Sequence, residues 1–435
     1  MRLVPRWPVL GLLSLPAVVL AASSAVPGLE ALSVVALIAA VAILAIDVGT
    51  SPRPSELALH RSRDALLSIG VPNRVVVTVE NQSSQPLRFR VRDEAPDAFR
   101  TEPLVLRGAV GPWSSVDISY SVTPFRRGEY RFGRIVLRYR TRLGCFYRQM
   151  AADRAERAVV YPDILELRKH TLPARGSDEE IARRLRLHGG TEFERLREYT
   201  PDDELRYVDW NATARVHRLI ARQYQTERNQ NIVLMFDLGR QMTSPHGELL
   251  KVDHAINSGV VLGYVATQRG ENIGLLTFSD TVRSYLQPRS GAAQFRRILD
   301  ALYAAQPELL EPDYAGAVAY LSTRNPRRSL IVLFSDLSTA DSAEELYRAL
   351  SALKPKHQPL LVLLTDPALA RAAESGTEDE AGLYRKAVAQ RLRDERTILI
   401  RRLETLGIHT LDVPAERLSV ALLDAYLTLK ARAAV

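Results

Sequence analysis

Four apolar runs in the second half of the chain constrain the fold more than any other feature. They are "NIVLMFDLG" (231–239), "NIGLLTFSD" (272–280), "SLIVLFSD" (329–336) and "PLLVLLTD" (359–366). A run this short, unbroken by polar residues and closed by an acid or a turn residue, reads as a strand covered on both faces. Such strands belong to parallel sheets. Between them lie segments with helical spacing: "ELLKVDHAINSGVVLGYVATQRG", "AAQFRRILDALYAAQ", "DYAGAVAYLSTR", "SAEELYRALSALK" and the long "EAGLYRKAVAQRLRDERTILIRRLETLG". "VRSYLQP" is expected to pair beside the second run, and "HTLDVP" with a final helix to close the chain. The alternation predicts an α/β domain over 231–435, a doubly wound sheet with helices on both faces.

The region from 51 to 163 has a different period. "RVVVTVENQSSQPLRFRVRDEAP" alternates apolar and polar positions around a turn, and "SSVDISYSVTP", "RGEYRFGRIVLRYRTR" and "RAVVYP" continue the pattern. Short alternating strands separated by turns predict a small β-sandwich. Between Phe125 and Arg148 stand eight arginines against one acid, Glu129. They read either as the solvated face of these strands or as a basic patch held near anionic lipid.

Before the sandwich come two apolar stretches, "VLGLLSLPAVVLAASSAV" from Val9 and "ALSVVALIAAVAILAI" before Asp47. Spanning a bilayer takes roughly 20 apolar residues, and both qualify when flanking residues are included. Arg53, Arg61 and Arg63 follow the second stretch, and the connection has no Lys or Arg. The positive-inside rule then predicts a transmembrane helical hairpin over 1–50, in a multi-pass cell-membrane protein whose soluble domains are cytoplasmic. Two other readings compete: a cleaved signal peptide ending near "AASSA", or a buried second helix. The charge of +8 and the pI near 9.6 leave anionic lipid or nucleic acid as partners, but no nucleic-acid recognition motif accompanies the charge. A single cysteine, Cys145, excludes an intramolecular disulfide and any multi-cysteine zinc site.

In open α/β sheets ligands bind beyond the carboxyl ends of the strands. Asp237 and Asp336 are expected there, and Asp313 opens a helix nearby. Three converging acids need a cation or a hydrogen-bond network, and oxygen-only ligands of this kind suit Mg²⁺. The alternative is that Asp237 and Asp336 cap the following helices or bond neighbouring backbone amides. The sequence has no GxxxxGK[ST], HExxH, CxxC or GxSxG, so no catalytic residue and no further cofactor are expected.

The segment 164–230 is dense in charge and aromatics, and it carries a likeness. "GGTEFERLREYTPDDELRYVDWNATARVHRLIARQYQTERNQNIVLMFDLGRQM" resembles the bacterial and archaeal family called domain of unknown function 58. The match runs through Gly190, Glu192, Phe193, Leu196, Arg197, Tyr199, Asp203, Arg206, Val208, Asp209, Trp210, Ala214 and Arg215. The resemblance implies a von Willebrand factor A-like domain from Asn231 onward, and such domains often carry a metal-ion-dependent adhesion site with a D-x-S-x-S motif. Here that motif reads Asp237-Leu238-Gly239-Arg240-Gln241: both serines are missing, and Asp313 stands near the usual threonine. What remains is a degenerate site, with Mg²⁺ held through Asp237, Asp313 and Asp336, or with Arg240 pairing one of the acids in the ion's place. The resemblance also implies a MoxR-type AAA+ ATPase as partner. Arg197, Asp203, Arg206 and Asp209 are the candidate partner-binding residues, the competing reading being a structural brace. The expected function is a membrane-anchored, non-enzymatic interaction or assembly protein. The alternatives are a metal-assisted hydrolase using the Asp cluster and a lipid-binding scaffold at the envelope.

Overall fold

The computed structural model describes residues 2–24, 29–63, 66–163, 192–199, 208–216, 218–225, 230–336, 340–364, 367–374 and 380–433. It divides into two compact units, Met1–Val160 and Tyr161–Val435.

The first unit contains strands β1 (Arg2–Pro5), β2 (Leu57–Arg63), β3 (Leu67–Ser68), β4 (Asn73–Asn81), β5 (Leu87–Asp93) and β6 (Phe99–Glu102). They are followed by β7 (Leu106–Val110), β8 (Ser114–Pro124), β9 (Gly128–Phe132), β10 (Ile135–Arg140), β11 (Phe146–Ala152) and β12 (Glu156–Tyr161), whose last residue begins the second unit. They form sheets in the orders β1-β11-β10-β5-β7, β2-β4-β8-β6 and β3-β12-β9. The period-2 pattern in the sequence is the cause. In β5, Leu87, Phe89 and Val91 are buried while Arg88, Arg90 and Arg92 are exposed. In β4, Val75, Val77 and Val79 are buried in the same manner. The eight arginines after Phe125 do not form one surface patch, because Arg127 and Arg148 are buried.

Two helices, α1 (Trp7–Ser23) and α2 (Leu29–Thr50), pack against each other between β1 and β2. The expectation of two spans in a multi-pass membrane protein is overturned here. Among the described residues only one helix, starting at Leu29, is long and apolar enough to cross a membrane. The physical reason lies in how the first stretch is used. Arg2–Pro5 pair with β11 as a strand, so α1 begins only at Trp7, and it contains Pro16. At about 1.5 Å per residue its 17 residues give roughly 26 Å, short of the ~30 Å hydrocarbon core.

The end of α2 is locked into the sandwich. Asp47 is fully buried. Its Oδ1 accepts from the Leu143 amide at 2.6 Å, and its Oδ2 accepts from Thr141 Oγ1 at 2.6 Å and the Cys145 amide at 3.1 Å. Arg148 donates to the carbonyls of Val48, Ser51 and Pro52, answering helix-end acceptors that have no partner within the helix.

In the second unit an antiparallel pair, β13 (Glu192–Glu198) and β14 (Ile220–Gln225), flanks helix α3 (Trp210–Val216). The main sheet follows: β15 (Asn231–Asp237), a two-residue ladder of β16 (Pro245–His246) and β17 (Leu249–Leu250), then β18 (Asn272–Phe278), β19 (Val282–Arg289), β20 (Ser329–Ser335), β21 (Gln358–Leu364) and β22 (His409–Val413). The order is β19-β18-β15-β20-β21-β22, parallel except for the antiparallel edge strand β19. Its helices are α4 (Lys251–Gln268), α5 (Ala292–Ala304), α6 (Tyr314–Arg324), α7 (Ala340–Leu353), α8 (Pro367–Glu374), α9 (Glu380–Thr405) and α10 (Leu418–Ala433).

The alternate side chains of the apolar strands serve two cores. Ile232, Leu234 and Phe236 pack with residues of α4, α5 and α10, whereas Val233 and Met235 pack with α6, α7 and α9. Helices therefore cover both faces, as the unbroken apolar runs predict. A glycine sets the approach of α4: a Cβ on Gly259 would stand 2.5 Å from Phe236 Cζ. This α/β unit is consistent with a von Willebrand factor A-like fold.

Candidate functional site

From β15 the chain crosses to β18 on one side, and from β20 it crosses to β21 on the other. The carboxyl ends of the adjacent strands β15 and β20 therefore form the topological switch point, where this class of sheet opens a crevice for ligands. Asp237 ends β15 and Asp336 follows β20. Both are buried there.

Asp237 is satisfied by neutral donors alone. Its Oδ1 accepts from the Gly239 amide at 2.7 Å, and its Oδ2 accepts from Ser335 Oγ at 2.7 Å and Tyr314 OH at 3.0 Å. Burial pushes this carboxyl up to about 6, against the pull of those three hydrogen bonds, and the nearby Asp336 carboxylate adds to the rise.

Asp336 is satisfied by charge. Its Oδ2 lies 2.6 Å from Lys251 Nζ and its Oδ1 lies 2.8 Å from a guanidinium nitrogen of Arg396. The Lys251 side chain is 9% exposed and that of Arg396 11%. Arg396, on α9, also grips Asp412 of β22 through Nε at 2.9 Å and its second terminal nitrogen at 2.6 Å. Lys251 is the first residue of α4, where the positive end of the helix disfavours a cation by about 0.3–1 kcal/mol. The Asp336 carboxylate against which it rests offsets that cost.

Asp313 opens a helix, as the sequence predicts, but its carboxylate is turned to that helix. It is exposed and caps α6, accepting from the Gly316 amide at 2.8 Å. A Cβ on Gly316 would stand 2.2 Å from Asp313 Oδ2, so the cap depends on glycine there. Its neighbour Tyr314, rather than Asp313, bonds Asp237. Arg240 does not pair with any of the three acids but with Glu311, at 2.7 Å.

The first serine of the adhesion motif could not simply be restored. A Cβ on Gly239 would meet Asp237 Oδ1 at 2.9 Å, Pro312 Cδ at 2.9 Å and the Leu310 carbonyl at 3.0 Å. The chain between α5 and α6 fills that space, held by the Arg240 amide donating to Leu310 O and the Glu308 amide to Leu238 O. The same stretch presents Leu309, 82% exposed, and Leu310 at the edge. Arg283 pairs with Glu308 beside them.

The described residues contain no group of three or more His, Cys, Asp or Glu able to hold a metal ion. The donor chemistry at the predicted site does not fit Mg²⁺ either. Both Asp336 oxygens face cations, both Asp237 oxygens face hydrogen-bond donors, and Asp313 is turned to its own helix.

Of the candidate partner-binding residues, Asp203 and Arg206 lie outside the described residues, as does the side chain of Arg197, whose backbone sits in β13 opposite Ala221. Asp209 is described. Its Oδ1 accepts from the Asn211 and Ala212 amides at 3.0 Å, capping α3. Trp210, which follows it, is 65% exposed.

Sequence reasoning missed Lys251, Arg396 and Tyr314. A lysine opening a helix was a usable signal for the first, since it stands against the helix dipole. Nothing local marks Arg396, which is 60 residues from Asp336.

Comparison with known proteins agrees with the sequence likeness. A domain described as "Protein of unknown function DUF58" is present over residues 195–379. The uncharacterized protein YeaD of Bacillus subtilis is 21% identical over 246 residues, covering 55% of this chain and 59% of that protein. The uncharacterized protein Rv1480 of Mycobacterium tuberculosis is 24% identical over 214 residues, covering 47% of this chain and 66% of that protein. The chain thus spans less than two thirds of either relative. Among solved structures, the conserved hypothetical protein BatB from Bacteroides thetaiotaomicron matches at 10% identity over 47% of this chain and all of that one. Its TM-score is 0.29, too low to bear on the fold.

Proposed function

We propose that this protein is a non-enzymatic interaction or assembly factor whose von Willebrand factor A-like domain docks a MoxR-type AAA+ ATPase at the carboxyl edge of its sheet. One observation carries the reading. The switch-point crevice is occupied by charges that satisfy one another, while Leu309, Leu310 and Asp313 stand exposed beside it. An edge of that kind offers an apolar anchor with a charged rim, the anatomy of a protein contact. The ATPase would supply nucleotide chemistry for which this sequence has no P-loop. Among the described residues, α2 is the helix long and apolar enough to cross a membrane; it would tether the chain to lipid, with the Asp47 joint transmitting the anchor's position to the sandwich.

The hydrolase alternative loses its support, because it depended on a metal held by the three acids. Capture of a purified MoxR-type ATPase from the same organism by the full chain tests the reading. Retention is expected for the wild type and loss for Leu309→Asp. Absence of capture by the wild type would remove the ATPase from the proposal.

A further inference from the structure

Asp237, Asp313 and Asp336 resemble an adhesion metal site in sequence, yet the cation at Asp336 belongs to the chain itself. Lys251 Nζ lies 2.6 Å from Asp336 Oδ2, and Arg396 occupies the other oxygen at 2.8 Å. Both basic groups come from helices distant in sequence, 85 and 60 residues away. We propose that the Lys251 ammonium, set between the start of α4 and Asp336, is the permanent cation of this edge, so that the domain keeps its shape and engages ligands without a divalent ion.

Three features support this. The first is charge. Lys251 and Arg396 together balance Asp336 and Asp412, and Asp237 is held by an amide and two hydroxyls. A Mg²⁺ ion bound to Asp336 would share its carboxylate with two positive groups in a poorly solvated place. The second is ligand supply. Mg²⁺ asks for six oxygens in near-octahedral array at about 2.0–2.1 Å. Asp237 Oδ2 already accepts from two hydroxyls and would have to give one up to contribute, and a buried donor left unpaired is costly. The third is space. At position 239, where an adhesion motif places a hydroxyl, any side chain would press on Asp237, Pro312 and the Leu310 carbonyl. The loop thus leaves no room for the motif's first hydroxyl.

The consequence is a difference in control. A metal-dependent edge responds to the supply of the ion, whereas a tethered ammonium is always present. Partner engagement at this edge would then be insensitive to chelators. That engagement rests on the docking role proposed above, whereas the ion-free state of the edge is testable on the chain alone.

The test uses the full chain with Mn²⁺ as the probe, read by the loss of the free-ion electron paramagnetic resonance signal, together with thermal unfolding in Mg²⁺ and in chelator. For the wild type we expect no stoichiometric Mn²⁺ binding up to about 1 mM and the same Tm in both conditions. Lys251→Met should lower the Tm by about 5–10 °C, because it leaves a buried carboxylate with one cation, and Lys251→Arg should recover most of that loss. Should Lys251→Met fail to fold, the arginine variant and the wild-type titration still decide. One Mn²⁺ bound per chain below about 0.1 mM, displaced by Mg²⁺ and lost in Asp336→Asn, would overturn the proposal. An unchanged Tm in Lys251→Met would overturn it as well.

Discussion

Asp47 and Asp336 are both buried carboxylates next to an apolar run, and they are satisfied in opposite ways. Asp47 draws on one short turn, accepting from Thr141, Leu143 and Cys145, all neutral donors within five residues of sequence. Asp336 draws on two cations from separate helices. The first arrangement is a joint: it fixes where a helix ends against a sheet, and its partners are positioned by local backbone. The second is a clasp, binding α4, β20 and, through Arg396 and Asp412, α9 and β22. A local turn can be built into almost any fold, whereas the clasp exists only once the whole sheet is assembled. The difference separates a structural carboxylate from one that organises a surface.

Substitutions at the two sites should therefore differ in size. Asp336→Asn is expected to have the largest effect, since it removes the buried carboxylate that Lys251 and Arg396 share. Breaking one partner of a buried ion pair costs about 3–5 kcal/mol, measurable as a shift in urea midpoint. An Asp336→Asn chain as stable as the wild type would dissolve the clasp. Asp47→Asn should cost less, about 1–3 kcal/mol, the penalty for leaving a buried donor without its acceptor. Its unfolding should show in the first unit alone, by hydrogen exchange at the 141–146 turn. If both units lose protection together, the contrast between joint and clasp is mistaken.

A third effect concerns pH. Burial raises the Asp237 carboxyl from 3.8 to about 6 in the folded protein. A carboxyl raised on folding adds stability that is fully present below its unfolded value of 3.8 and is lost as pH rises through about 6. The wild type should therefore lose stability relative to Asp237→Asn between those two values, and run parallel to it above them. Parallel curves across the whole range would mean that Asp237 ionises freely. The smallest effect on stability belongs to Leu309→Asp. A substitution at a side chain this exposed is expected within about 0.5 kcal/mol of the wild type, so any loss of partner binding reports on the surface itself.

Sequence and structure agree where local physics decides. The runs at 231–237 and 329–335 had no polar residue facing solvent until their ends, so only two-sided burial could accommodate them, and the structure buries both. Strand ends placed Asp237 and Asp336 at the edge for the same reason. The counter-charge is not fixed in this way, because a carboxylate's partner can come from anywhere in the chain. Lys251 and Arg396 reach Asp336 through tertiary folding, and no window of sequence contains both contacts. The first apolar stretch misled in another way. The stretch from Val9 reaches a span only with its flanking residues, but Arg2–Pro5 on that flank pair in a sheet, leaving a helix of 17 residues. Among the arginines after Phe125, Arg148 found three carbonyls at the end of α2, a destination set by a helix 100 residues earlier.

The carboxyl edge, with its internal cation and exposed leucines, is proposed as a docking surface. The most direct measurement is the affinity of the full chain for a purified MoxR-type ATPase, with nucleotide and Mg²⁺ held constant, comparing wild type and Leu309→Asp. The account predicts binding by the wild type and a loss of at least about tenfold in the variant, equivalent to 1.4 kcal/mol, with both proteins equally folded. Equal affinity of the two would contradict the docking edge and place the contact elsewhere on the molecule.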